Sequence, residues 1–254
     1  MSKKDILMNS RAFPFISLSL VFFLTWSSIG WAQAPREETE ITAQYLATLL
    51  KVGRLIVERN QTLIDDPRIG HKGFTPEVFE NEVVDEFIRQ THIDLKHLSS
   101  LPSLAKELLP VLLQSSKETV ADAQLVINQR GIGYKNFIPA TFGSQAARKF
   151  SKHSHVKIKQ TTLNPRNLKN MPDAYEENVL KRLAAQPASD TSIIEWIDNE
   201  TILRVLTPIY YSQDCLACHG KPRGILDISG YPREGAQEGD LAGAISIQIP
   251  LTSR

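Results

Sequence analysis

Cysteine is scarce in this chain of 254 residues, which contains two of them and three methionines. Two cysteines are too few to build a disulfide framework. They also supply only two of the four Cys/His ligands that a structural zinc site normally needs. The formal net charge of +1 gives no basic excess, so the composition does not indicate a nucleic-acid partner. After residue 32 no apolar run reaches about 20 residues, the length that spans a membrane.

Both cysteines lie in one short stretch, DCLACHG, as Cys215 and Cys218, and His219 follows directly. The pattern Cys-x-x-Cys-His fits half of a zinc site, a redox disulfide or a c-type haem attachment sequence. For zinc, His153 and His155 would be the one closely spaced histidine pair available. A thioredoxin-like redox site should lie at the start of a helix. A helix start is not expected here, because a strand-like segment precedes the motif and a Gly/Pro-rich segment follows it. We favour one covalent haem c, with two thioether-forming cysteines and His219 as the proximal iron ligand, because it accounts for every residue of the motif.

The first 32 residues have the pattern of a secretory signal peptide, with basic residues before an uncharged run over residues 12–32. We expect cleavage after Ala32, because a cut after Ala34 would leave Pro35 directly behind it. An uncleaved membrane anchor is the alternative. In either case we expect the remainder to be periplasmic, the side of the membrane on which haem c is attached, with no membrane span once the signal is cleaved.

The order of predicted elements indicates an α+β fold, with a helical region over 33–129 and a β-rich domain over 130–254. The spacing of apolar residues predicts a long helix that ends at Asp66-Pro67, and Thr75-Pro76-Glu77 predicts a helix start. Ser115 and Ser116 predict the start of a third helix that runs to about Gln129. Further along, the patterns predict a helix from Pro139, a strand over 155–162, a helix over 171–186, a hairpin over 192–211 and a last strand over 241–250. The Cys-x-x-Cys-His motif falls on the loop between the last two strands.

Three segments resemble the c-type-haem PAS-like domain family, whose members are free exported proteins or extracytoplasmic sensor parts of histidine kinases and chemoreceptors. The segments are KIKQTTLNPRNLKNMPDAYEENVL, TPIYYSQDCLACHG and YPREGAQEGDLAGAISIQI, within residues 130–250. The resemblance implies a PAS-like antiparallel sheet with the haem held covalently at its edge. Some members carry a further cysteine upstream that completes the iron coordination. This chain has none, so thiolate ligation is not expected.

Two arginines are candidates for contact with the haem propionates, since a guanidinium pairs well with a carboxylate. One lies in the Arg-Asn string of the first segment, and the other follows closely after the motif. Arg166 and Arg223 are the two cofactor-binding candidates beyond the motif itself. The alternative for Arg223 is a solvated loop charge. For Asn170, Asp173 and Glu176 we favour a turn followed by a helix start over a role in the pocket.

The sixth iron position stays open at the level of sequence. Tyr134 or Lys135 could approach the iron, and Met171 is the one methionine beyond the signal peptide. The site could equally be open or hold water. Each remaining histidine is more typical of a surface residue than of a distal ligand: His71, His92, His97, His153 and His155.

Three classes of function fit these observations. The first is a haem-based redox or small-gas sensor that acts through a signalling partner. The second is a periplasmic electron-transfer cytochrome that meets a redox partner. A peroxidase-like enzyme is the third, and the sequence offers no distal His/Arg pair for it. We favour the sensor and a non-enzymatic role.

Overall fold

The computed structural model describes residues 28–251, so residues 1–27 of the predicted signal peptide lie outside this range. Within these residues five helices come first, and a four-stranded sheet with two further helices follows, which confirms the predicted α+β fold. The helices are α1 Ser28–Arg59, α2 Gln61–Asp65, α3 Pro76–Thr91, α4 Ser103–Ile127, α5 Pro139–His153, α6 Ala174–Ala184 and the short α7 Leu216–His219. The strands are β1 Lys157–Thr161, β2 Ile193–Ile197, β3 Ile202–Tyr210 and β4 Leu241–Pro250.

Helix α3 begins and ends as its sequence predicts. The Thr75 side chain accepts a hydrogen bond from the backbone N–H of Val78 at 3.3 Å, and Pro76 occupies the first turn, where a missing N–H costs nothing. His92 ends the helix in the left-handed conformation with φ 60°. Local capping chemistry therefore sets both ends of α3.

Helix α4 corrects the prediction that a helix starts at Ser115. It begins twelve residues earlier, at Ser103, and contains Pro110 in its interior. Ser116 is buried and donates its hydroxyl hydrogen to the Leu112 carbonyl at 2.8 Å, so the serine is satisfied inside the helix instead of capping it. Burial of the apolar face outweighs the local signals of proline and serine.

The sheet is antiparallel throughout, in the order β1-β4-β3-β2. Ile247 of β4 pairs with Ile158 of β1 and Val205 of β3, and these three side chains join the main buried cluster formed with the helices. Strand side chains alternate between faces, so Leu206 and Ala244 lie on the opposite face. There they form a smaller cluster with α6. Helices thus cover both faces of the sheet.

The main buried cluster draws on both predicted parts of the chain. Leu50 and Phe79 come from the helical region, and Phe142 and Ile245 come from residues beyond 130. The Phe79 and Phe142 rings lie 5.2 Å apart between centroids. The domain boundary at 129/130 stays a prediction.

None of the helices within residues 28–251 is long and apolar enough to cross a membrane.

Candidate haem-attachment site

The Cys-x-x-Cys-His motif lies between β3 and β4 in two consecutive helical turns. A 3-10 turn covers Gln213–Cys215, and α7 covers Leu216–His219. The expectation that the motif does not begin a helix is therefore wrong, although α7 has only four residues. Cys215 and Cys218 are free thiols and half-exposed. Burial and the nearby Asp227 carboxylate raise the pKa of the Cys218 thiol.

His219 is held through one of its two ring nitrogens. Its Nδ1 lies 2.8 Å from Oε2 of Glu234, and its ring lies 4.9 Å from that of Tyr211 between centroids, at a tilt of 37°. A carboxylate partner favours the tautomer with the proton on Nδ1, which leaves the Nε2 lone pair available for a metal ion. Burial alone would raise the pKa of Glu234, but hydrogen bonds from Arg166 and His219 outweigh it and lower that pKa.

Arg166 joins the motif to two carboxylates. Its Nε and Nη2 donate to the Glu234 oxygens at 2.6 and 2.9 Å, and Nη2 also donates to the Cys218 carbonyl at 2.9 Å. Its Nη1 lies 2.5 Å from Oδ2 of Asp227. A bidentate pair of this kind fixes orientation as well as charge. Arg166 thereby positions Glu234, and through it the His219 ring.

Asp227 anchors the loop that follows the motif. Its side chain is fully buried and accepts from the Ser229 N–H at 2.8 Å, the Ser229 hydroxyl at 2.6 Å and the Tyr231 N–H at 3.1 Å. Burial would raise the pKa of this carboxyl, but the bonds from Ser229, Arg166 and Tyr231 hold it well below its ordinary value. Asp227 is therefore a buried anion that balances the positive charge of Arg166.

Helix α1 contributes a second contact to the motif. Ser212 donates to Oε1 of Glu58 at 2.7 Å, and its hydroxyl lies 3.2 Å from Sγ of Cys215. Arg54 interacts electrostatically with both Cys215 and Glu58 and donates to Oε1 of Gln160. Burial lowers the pKa of Arg54 to about 10. The helical region and the sheet therefore both border the motif.

Apolar side chains are exposed in the loop anchored by Asp227. Ile225, Leu226 and Ile228 are 54%, 65% and 70% exposed. The loop lies against the motif, since the Ala236 N–H donates to the His219 carbonyl at 2.8 Å. Exposed apolar patches mark binding surfaces. Two half-exposed thiols, an imidazole with a free Nε2 and an apolar surface beside them are a donor set and a surface that fit haem c.

The other residues predicted from the sequence lie in different surroundings. Arg223 is exposed, and its contact with the haem propionates, like that of Arg166, stays a prediction. Burial, and after it the nearby Cys218, raise the pKa of Tyr134. Lys135 is buried and donates to the carbonyls of Gln129 and Ile132. No group of three or more potential metal-ligating His, Cys, Asp or Glu side chains occurs within residues 28–251.

The helix-start interpretation holds for part of the segment after Arg166. The Asp173 carboxylate accepts from the Glu176 N–H at 2.7 Å, and the Glu176 side chain accepts from the Asp173 N–H at 2.9 Å, which is a capping box. Asn170 lies at the end of a 3-10 turn.

Glu234 and Asp227 are site residues that the sequence alone did not reveal. Glu234 lies in YPREG, at the start of one of the three segments that carry the family resemblance. That resemblance was the one signal in the sequence that could have identified it as a site residue.

Comparisons with known proteins cover most of the chain. The model of the Tll0287-like family matches residues 42–250, which include every residue of the site. One solved structure, described as the crystal structure of the cyanobacterial haem protein Tll0287, matches with 18% identity and a TM-score of 0.42. The match covers 61% of this chain and 99% of that one. No curated protein matches significantly. Because the family model spans most of the sequence, this chain belongs to the Tll0287-like family.

Proposed function

We propose that this chain is an exported mono-haem c protein that acts in redox or small-gas sensing through a partner. The family supports haem binding, because Tll0287 itself is described as a haem protein. The observation that carries the proposal is the His219 ring, held at Nδ1 by Glu234 beside the two thiols of Cys215 and Cys218. This arrangement leaves Nε2 as the ligating nitrogen.

The residues of the site have separate tasks in this proposal. Cys215 and Cys218 would hold the haem covalently, since each thiol can add across one vinyl group, with the sulfur bonded to one carbon and the proton passed to the other. His219 would ligate the iron through Nε2, and Glu234 accepts a hydrogen bond from the Nδ1–H group, which makes the imidazole a stronger donor. Arg166 orients Glu234. When bound, the haem supplies one-electron redox chemistry and, at an open sixth position, binding of small gases.

Haem staining tests the covalent attachment. We expect the full chain, produced in a host that matures c-type cytochromes, to give a haem-positive band after denaturing electrophoresis. The double variant Cys215→Ala/Cys218→Ala should give no stained band, and the matched control His153→Ala should stain like the wild type. A colourless wild-type band, or a stained double variant, would contradict the proposal.

Sensing and electron transfer differ in the sixth iron position. Residues 28–251 contain no free thiol beyond the two of the motif, so we expect no thiolate signature in the EPR spectrum. High-spin ferric iron that binds CO after reduction would support the sensor. Low-spin iron that does not bind CO would favour the alternative of an electron-transfer cytochrome. N-terminal sequencing of the periplasmic fraction tests export and cleavage after Ala32.

A further inference from the structure

A polar groove of about 520 Å³ lies on the sheet face that carries α6. Lys157 and Lys159 of β1 and Arg204 of β3 line it beside the paired residues Ser246 and Gln248 of β4. Residues of α5 and of the 3-10 turn Leu168–Asn170 close its other sides. A volume of this size falls in the range of small-molecule sites, roughly 300–1,000 Å³. The groove does not contain the Cys-x-x-Cys-His motif.

Positive charge dominates the lining of the groove. Six basic side chains face two acidic ones, Asp173 and Glu176, and this leaves a net charge of four positive. Arg204 pairs with Asp173 at 2.9 Å and with Glu176 at 3.3 Å, and Lys159 lies 2.7 Å from Glu176. These contacts compensate both carboxylates. The other four basic residues form no ion pair with any residue in the described part of the chain: Arg148, Lys152, Lys157 and Lys169.

Arg204 gives the groove a buried donor. The residue is 6% exposed, and its guanidinium lies 4.5 Å above the Tyr175 ring. Its Nε finds no hydrogen-bond partner among residues 28–251. An unsatisfied buried donor destabilises a fold, and the penalty is larger for a charged group. A bound anion that displaced the contacts enclosing this Nε would supply the missing acceptor.

The remaining lining decides the class of ligand. Serine, asparagine and glutamine side chains fill the spaces between the charges, and Ile158 is the one apolar residue among the lining residues that the structure describes. A lining of this kind does not suit a flat apolar ligand, and it offers many donors to oxygen acceptors. We propose that the groove binds a small multivalent oxyanion, a di- or tricarboxylate or a phosphate compound. The proposal does not depend on haem attachment.

Titration calorimetry on the purified full chain at constant ionic strength tests the site. Citrate and pyrophosphate are the probes for the two chemical sources, and acetate tests the need for multiple charges. We expect one site per chain that binds citrate or pyrophosphate at least tenfold more tightly than acetate. The double variant Arg148→Gln/Lys152→Gln removes two exposed charges at the groove and should weaken binding about tenfold or more, because the anion loses two charged donors.

The matched control Lys96→Gln/Lys106→Gln removes the same charge from exposed positions outside the groove and should leave the affinity unchanged. Equal weakening in both double variants would overturn the proposal, because it would show a response to net charge alone. Absence of binding to citrate and to pyrophosphate would also overturn it. Arg204→Lys, which keeps the charge but loses the unpartnered Nε, should weaken binding of the preferred probe, and wild-type affinity in that variant would contradict the role given to Arg204.

Discussion

Replacement of Asp227 by alanine should destabilise the fold more than loss of an ordinary surface acid. The Asp227 carboxylate is fully buried and accepts from Arg166, from two donors of Ser229 and from the Tyr231 N–H. Alanine removes all four acceptor contacts. It also leaves Arg166 with Glu234 as its single carboxylate partner among the described residues.

The size of the effect follows from the burial of the pair. Removal of one partner of a buried ion pair costs about 3–5 kcal/mol. Arg166 is 21% exposed and keeps Glu234, so we expect the lower end, about 3 kcal/mol. For a chain of this size, this corresponds to a fall in Tm of about 6–12 °C.

The same carboxyl should shape the acid stability of the protein. Its pKa in the folded state lies well below that of the unfolded chain, so its contribution is complete above the unfolded value of about 4. The contribution is lost as pH falls below that value toward the folded pKa. The difference in unfolding free energy between wild type and Asp227→Ala should therefore shrink as pH falls below about 4.

Urea denaturation followed by circular dichroism measures both effects. Asp190→Ala is the matched control, because Asp190 forms an exposed ion pair with Lys51 at 2.9 Å. Exposed pairs of this kind contribute less than about 1 kcal/mol. If Asp227→Ala and Asp190→Ala were equally stable, or if the Asp227→Ala difference did not change with pH, the role given to the buried carboxylate would be refuted.

Further predictions concern the proximal histidine and local packing. His219→Ala should yield little haem-loaded protein, as measured by absorption spectra. Alanine at any of the other five histidines should keep the wild-type spectrum. An equal loss at one of them would identify that histidine as a second iron ligand. Glu234→Gln should retain haem but raise its midpoint potential in a redox titration, because the carboxylate partner makes the imidazole a stronger donor, and an unchanged potential would contradict this. Gly143→Ala should lower Tm despite better helix propensity, since the new Cβ would lie 2.6 Å from Oε1 of the buried Gln160; a higher Tm would show that Gln160 shifts freely. Thr75→Ala should cost about 1 kcal/mol in urea unfolding, and a negligible change would show that the cap contributes little.

Much of the fold follows from patterns that are local in the sequence. Thr75-Pro76 begins α3 because a cap needs a side chain and an N–H only three residues apart. Two runs rich in β-branched and aromatic residues, separated by a short turn, predicted the hairpin of β2 and β3, because such a turn leaves the two strands only adjacent, antiparallel pairing. The start of α4 escaped prediction because its interior Pro110 resembles a break, and burial against the rest of the helical core outweighs that signal.

The candidate site divides in the same way. Cys215, Cys218 and His219 lie within five residues of the sequence, so the motif and the prediction of haem attachment could be made without the fold. The bond from Arg166 to Glu234 joins residues 68 positions apart, and the bond to Asp227 joins residues 61 positions apart. No local pattern encodes such pairs, because an ion pair depends on which loops the tertiary structure brings together. The sequence thus determined which donor groups the motif offers, and the fold determined which carboxylate orients its histidine.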